Sequence, residues 1–447
     1  MHVVIIGLGE VGRHLIRALE PDGHDIVAVD QSETAVSYVD EKFDVATLCG
    51  YGASEELLDQ AGVSRADLVV AVTDHDEVNL VAALIAKEAG AKKVVARTQG
   101  VAFGRSGQGM RHNFLGVDVT INPSLLVAQE VVKIARSHGA VEVIDLSQDR
   151  IELVQVEVTE RSRFIHRPLS SVPLKKVLVA AIVRNGELSV PGGADNLLPQ
   201  DRLYLVGRPS DLPDAEDLFT ERRQARRACI AGGGLTGEMV ARALLEDGAK
   251  VTIIEENFAR AEELKSSLPE AIDVLRGDAT DHEFLINEEI GSYELFAAVT
   301  PSDELNLMAA LLADRMGATR TAAVVNRPES LPIYKQLGID IVVSPRTVAS
   351  DRILRYARRS TIKSLTKLQN GQAEVLEIGA VHGSRAVGVQ LRQLSLPRGA
   401  LICAIVHDDQ VIIPRGDAQI AVGDSVIVLV TKSARSTVER LFRPGLL

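Results

Sequence analysis

Short apolar runs rich in Val, Ile and Ala recur near the start of the chain, at residues 3–6, 26–29, 45–48, 68–72, 93–96 and 118–121. Between them, apolar positions repeat at helical spacing. The same series returns at 228–231, 251–254, 272–275, 295–299, 321–325 and 339–343. Uninterrupted apolar runs mark strands buried on both faces, and their alternation with helices, without hairpin turns, predicts right-handed crossovers and a parallel, doubly wound sheet in each series. A proline-opened helix closes each one, from Pro123 to about Ser137 and from Pro345 to about Arg359, and is the expected hinge to the next module.

Beyond each of these helices the hydrophobic period changes. Val154-Gln-Val-Glu-Val158 alternates strictly, and the β-rich runs after it are split by Asn185-Gly186, a hairpin signal. Leu178-Val-Ala-Ala-Ile-Val183 with Asp201 is matched by Leu401-Ile-Cys-Ala-Ile-Val406 with Asp424, so this smaller module is also written twice. The predicted fold class is α/β: two Rossmann-like doubly wound parallel-sheet domains, at 1–122 and 225–345, each followed by a small α+β domain with an antiparallel sheet, at 141–224 and 363–447. Glu221-Arg-Arg-Gln-Ala-Arg-Arg227 reads as a solvated linker between the halves. Gly104-Arg-Ser-Gly-Gln-Gly109 is too rich in glycine to hold a helix and is expected to form a loop or a displaced element.

Composition narrows the functions open to such a chain of 447 residues. Its net charge of −12 argues against a nucleic-acid partner. Cys49, Cys229 and Cys403 are odd in number and widely spaced, which suits buried thiols in a reducing compartment rather than disulfides or a metal site. His75, His112, His138, His166, His282, His382 and His407 lack ligand spacing, so no metal is expected. No apolar run approaches the ~18–20 residues that span a bilayer, and the start carries no signal-peptide pattern. Membrane association is therefore expected only through a partner.

The candidate chemistry lies where strand one of each large module meets its first helix. Gly7-Leu8-Gly9-Glu10-Val11-Gly12 recurs as Gly232-Gly233-Gly234-Leu235-Thr236-Gly237, and the next strands end in Asp30 and Glu255. The first glycine permits a tight turn, the second lets the backbone approach a pyrophosphate, and the third lets helix and strand pack closely. The phosphates would face the positive end of a helix dipole. Asp30 and Glu255 would accept hydrogen bonds from a ribose 2′-hydroxyl, favouring NAD(H) over its 2′-phosphorylated form. Further candidates end the later strands: Gly50-Tyr51-Gly52 and Gly277-Asp278, Thr73-Asp74 and Thr300, and Arg97 and Arg327. The smaller modules offer no clear proton-transferring partner for the cofactor, which favours sensing over an NAD-dependent oxidoreductase, the alternative reading.

Val72-Thr-Asp-His-Asp-Glu-Val-Asn79 and Val299-Thr-Pro-Ser-Asp-Glu-Leu-Asn306 resemble the VTxxDExN signature of the RCK, or KTN, regulators of potassium conductance. Gly277-Asp-Ala-Thr280, Ile121-Asn-Pro123, Val343-Ser-Pro345 and Val438-Glu-Arg-Leu-Phe-Arg-Pro444 extend the likeness over the whole chain, specifically to the NAD-binding subunits of Trk potassium uptake systems. The resemblance implies a cytoplasmic, non-catalytic subunit, peripheral on the inner face of the cell membrane. It further implies assembly as a tetrameric ring on a membrane potassium translocator, or, within the same fold, on another channel or antiporter. NAD(H), with ATP or ADP as the alternative at one site, would shift the ring between conformations. Carried over to this sequence, the first site would use Gly7 to Val11, Asp30, Thr73, Asp74 and Arg97. The second would use Gly232 to Thr236, Glu255 and Asp278. The first half departs from the family in having Gly50-Tyr51-Gly52 where many relatives carry Gly-Asp.

Overall fold

The computed structural model describes residues 1–99, 110–114, 116–136, 140–147, 150–220, 226–357, 362–408 and 410–443. The loop expected at Gly104–Gly109, His138, most of the charged linker and Pro444 lie outside the described residues.

From the N-terminus, β1 (His2–Ile6), α1 (Glu10–Leu19), β2 (Asp25–Asp30), α2 (Glu33–Lys42), β3 (Ala46–Cys49), α3 (Glu55–Gln60), β4 (Leu68–Ala71), α4 (Asp76–Glu88) and β5 (Val94–Arg97) alternate as predicted. Next come β6 (Met110–Phe114), β7 (Val117–Ile121) and α5 (Pro123–Arg136). The sheet order is β3-β2-β1-β4-β5-β7-β6, parallel except for β6, which pairs antiparallel with the outer edge of β7. That hairpin corrects the expectation of a purely parallel sheet. Gly116, at φ +79°, lies in the reversal, a backbone region open to glycine at little cost.

A smaller module comes next, with β8 (Ala140–Leu146), β9 (Ile151–Glu157), β10 (Leu178–Arg184), β11 (Glu187–Ser189), β12 (Arg202–Gly207) and α6 (Leu212–Glu216). Its strands form an antiparallel sheet in the order β11-β10-β12-β9-β8. The predicted hairpin joins β10 to β11, with Asn185 and Gly186 at positive φ.

The second large module contains β13 (Arg227–Ala231), α7 (Leu235–Glu246), β14 (Lys250–Glu255), α8 (Phe258–Ser267), β15 (Ile272–Arg276), α9 (His282–Asn287), β16 (Leu295–Ala298), α10 (Asp303–Met316), β17 (Thr321–Val324), α11 (Leu331–Gln336), β18 (Ile341–Val343) and α12 (Pro345–Ala357). Its sheet is fully parallel, in the order β15-β14-β13-β16-β17-β18. The last module has β19 (Ile362–Leu368), β20 (Ala373–Gly379), β21 (Ala400–His407), β22 (Gln410–Ile412), β23 (Ser425–Thr431) and α13 (Arg435–Phe442), with sheet order β19-β20-β23-β21-β22.

The chain divides into two compact units, residues 1–132 with 225–357, and residues 133–224 with 358–447. Within the first, the closing helix of each large module touches the other module. The helix α12 packs on α1, so that Ala349, Ile353 and Ala357 join the core formed by Val3, Leu15, Ile16 and Leu126. Reciprocally, Thr236 at the start of α7 donates to Ser124 of α5 at 3.0 Å. Within the second unit, the two antiparallel sheets share one core. Ala180, Tyr204 and Val206 meet Val375, Cys403 and Leu429, as two sheets burying one apolar face each must. Among the described residues no helix is long and apolar enough to cross a membrane.

Candidate functional site

In both large modules the strand order reverses between strand one and strand four, and the glycine turn opens at that crevice. Three glycines in each turn serve three different ends. Gly7 takes φ +100°, and a Cβ there would lie 2.7 Å from the Thr73 nitrogen. A Cβ on Gly12 would stand 2.0 Å from the Gly7 carbonyl oxygen, and one on Gly237 1.9 Å from that of Gly232. Those positions are fixed by the fold. Gly9 and Gly234 are different, with ordinary φ values of −68° and −67° and nothing within 4 Å of an added Cβ. Nothing among the described residues demands glycine at either.

The strand-end acids are held in one orientation by the turns they face. Asp30 Oδ2 accepts from the Leu8 N–H at 2.6 Å and Oδ1 from Ser32 N–H at 2.9 Å. Glu255 repeats this with the Gly233 and Asn257 N–H groups, at 2.7 and 2.8 Å. Each carboxylate oxygen thus has one fixed donor and further lone-pair capacity on its open side.

A cleft of about 880 Å³ lies over the first turn. Gly7, Leu8, Gly9, Glu10, Val11, Asp30, Thr73, Asp74 and Arg97 all line it, whereas Gly12 is buried beneath it. The Arg97 Nη1 pairs with Asp74 Oδ1 at 3.1 Å, while its buried Nε has no hydrogen-bond partner among the described residues. Tyr51, 55% exposed, forms part of the wall. Arg346, from the closing helix α12, reaches the same cleft and lies 3.8 Å from Glu10. A smaller cavity of about 560 Å³ adjoins it, lined by Arg13, His14, Arg17, Arg327 and Arg346 among others. In the second half Gly232 to Thr236 and Glu255 are assembled around the equivalent turn. Asp278, by contrast, is exposed and bonded within its own turn to Thr280 N–H and Oγ, both at 2.7 Å.

Sequence reasoning missed what the buried asparagines do. Asn79 Oδ1 accepts from both the N–H and the hydroxyl of Thr73, while its Nδ2 donates to the carbonyls of Thr73 and Arg97. Asn306 does the same for Thr300 and Val324. Asp76 and Asp303 bind the backbone N–H groups of Gln99 and of Asn326 and Arg327. The DExN part of the signature is therefore a brace between the ends of strands four and five. Its recurrence at fixed distance after Val-Thr was the signal in the sequence.

Cys229 and Cys403 are buried as expected, but Cys49 is exposed because β3 is the outer strand of its sheet. Burial raises the Cys403 thiol to about 12. No group of His, Cys, Asp or Glu among the described residues could hold a metal.

This architecture, two glycine-turn α/β modules interleaved with two small antiparallel modules, defines the class. Residues 3–123 and 228–345 match the TrkA-N domain, and residues 153–220 and 375–443 the TrkA-C domain. The chain is 35% identical to a Trk system potassium uptake protein TrkA homolog from Archaeoglobus fulgidus, over 99% of this chain and 100% of that one. It is 31% identical to the Trk system potassium uptake protein TrkA of Halomonas elongata, over 100% and 99% of the two chains. It belongs to the TrkA family. The RCK domain of GsuK shares the fold at 19% identity, with a TM-score of 0.61 over 99% of this chain and 94% of that one. A GsuK channel bound to NAD does so at 18% identity and a TM-score of 0.60, over 99% and 78%.

Proposed function

We propose that this chain is a nucleotide-responsive, non-catalytic regulatory subunit of a Trk-type potassium uptake system. One observation carries the nucleotide site: Gly9 is glycine where the protein's own atoms leave room for a side chain, above a helix N-terminus and beside an acid held in place by the turn. A glycine needed by no neighbour in the fold fits a turn that a pyrophosphate must approach closely. NAD(H) would lie across Gly7 to Val11 with its ribose hydroxyls on Asp30, its phosphates near Arg97, and Thr73 and Asp74 bordering the far end. Gly232 to Thr236 with Glu255 would hold NAD(H), ATP or ADP, with Asp278 at its margin.

The names of the full-length relatives support potassium uptake as the process served. The chain would act from the cytoplasmic face, as a tetrameric ring on a membrane potassium translocator, each nucleotide biasing the ring by binding one conformation better than another. Calorimetric titration of NADH tests the site. Asp30→Ala should weaken binding and Gly9→Val abolish it at the first turn; unchanged affinities in both would remove the assignment. Copurification with a polytopic potassium translocator tests the partner.

A further inference from the structure

The two glycine turns differ in what lies against them. By alignment of the repeats, Arg13, Ala35 and Tyr38 of the first half correspond to Glu238, Arg260 and Glu263 of the second. In the first half Arg13 bonds Glu10 and its guanidinium lies 5.0 Å from the Tyr38 ring centroid, on the open wall of the cleft. With Arg346 nearby, that wall carries two cations and one acid.

In the second half the equivalent space is crossed by Arg260. Its Nε donates to the Gly233 carbonyl at 2.8 Å, its Nη2 to Glu238 at 3.0 Å, and its Nη1 pairs with Glu263 at 2.9 Å. Glu238 is shared with Arg242 at 3.0 Å, so two cations and two acids balance. Leu264 of α8, which aligns with Val39, also reaches the turn here, since a Cβ on Gly233 would lie 2.4 Å from its Cδ1.

We propose that Arg260 sets the affinity of the second nucleotide site: it fills the groove between α7 and α8 beside the glycine turn with a guanidinium whose charge is already spent. This assignment rests on the second turn being a nucleotide site. A ligand there must displace the Arg260 bond to the turn or bind beside it. The two sites thereby differ in strength although their glycines and ribose acids match.

The test uses the full chain with the first site disabled by Gly9→Val, titrated calorimetrically with NADH, ATP and ADP in turn. Arg260→Ala in that background should tighten the remaining site roughly tenfold. Because Ala also removes the packed stem, Arg260→Met serves as the second variant and should tighten the site in the same direction. Unchanged or weaker binding in a folded Arg260→Met protein overturns the proposal. If the Gly9→Val protein takes up no NADH, ATP or ADP with or without Arg260 while the wild-type chain binds one equivalent of NADH, the second turn is not a nucleotide site. The proposal then falls and the first-site assignment stands.

Discussion

Two glycines three positions apart in the first turn should respond in opposite ways to one added methyl group. Gly12→Ala places a Cβ 2.0 Å from a backbone oxygen that cannot move without opening the turn. We expect a loss of several kcal/mol, on the scale of overpacking a tight core, seen as a lowered urea midpoint. Gly9→Ala meets nothing among the described residues, so its melting temperature should stay near that of the wild type while NADH affinity falls at least roughly tenfold. A Gly9→Ala protein with full affinity would show that no ligand approaches that position. The buried Asn79 offers a third contrast. Asn79→Asp keeps the shape but removes both donors to the Thr73 and Arg97 carbonyls, and should cost about 1–3 kcal/mol for each carbonyl left unsatisfied. The glycines, Asp30 and Glu255 were legible in the sequence because their spacing is local to one strand-turn-helix unit. Arg346 was not, since only the packing of α12 on α1 carries a residue of the second half into the first cleft, and Asn79 was seen as a signature without its bonds.

At the scale of elements, strand β9 buries a carboxyl group. Desolvation first, then Asp145, raise Glu152 to about 7, against the opposing pull of Lys133 and Arg136. Lys133 itself pairs with Asp145 at 2.7 Å. In the pH range between the unfolded carboxyl value of 4.5 and about 7, the folded chain holds a proton that the unfolded chain has released. Stability of this module should therefore fall as pH rises through that window, by on the order of 3 kcal/mol in total, and then level off. Hydrogen exchange of β9 at pH 5 and pH 8 measures the fall, and Glu152→Gln should flatten it. The strand and helix series was readable along the chain because apolar period is a local property. The antiparallel β6 was not, since the glycine-rich stretch before it argues only against a helix, and pairing with β7 depends on where that sheet happens to have a free edge.

For the whole molecule, ligand binding at the first turn should stabilise the fold by mass action. NADH at a hundred times its dissociation constant should add about 2.7 kcal/mol, read as a melting temperature that climbs with ligand concentration and stays flat in Gly9→Val at the first-site transition. The contact of each closing helix with the other module, α12 on α1 and Ser124 to Thr236, has a further consequence. Two identical protomers in such contact would carry every substitution into both of their sites at once. Here the partners are halves of one polypeptide, always present one to one however dilute the protein becomes. A single codon change can alter one site and leave its twin untouched. Duplication has thus freed the pair to diverge, and Arg260 opposite Ala35 is a trace of that freedom already used.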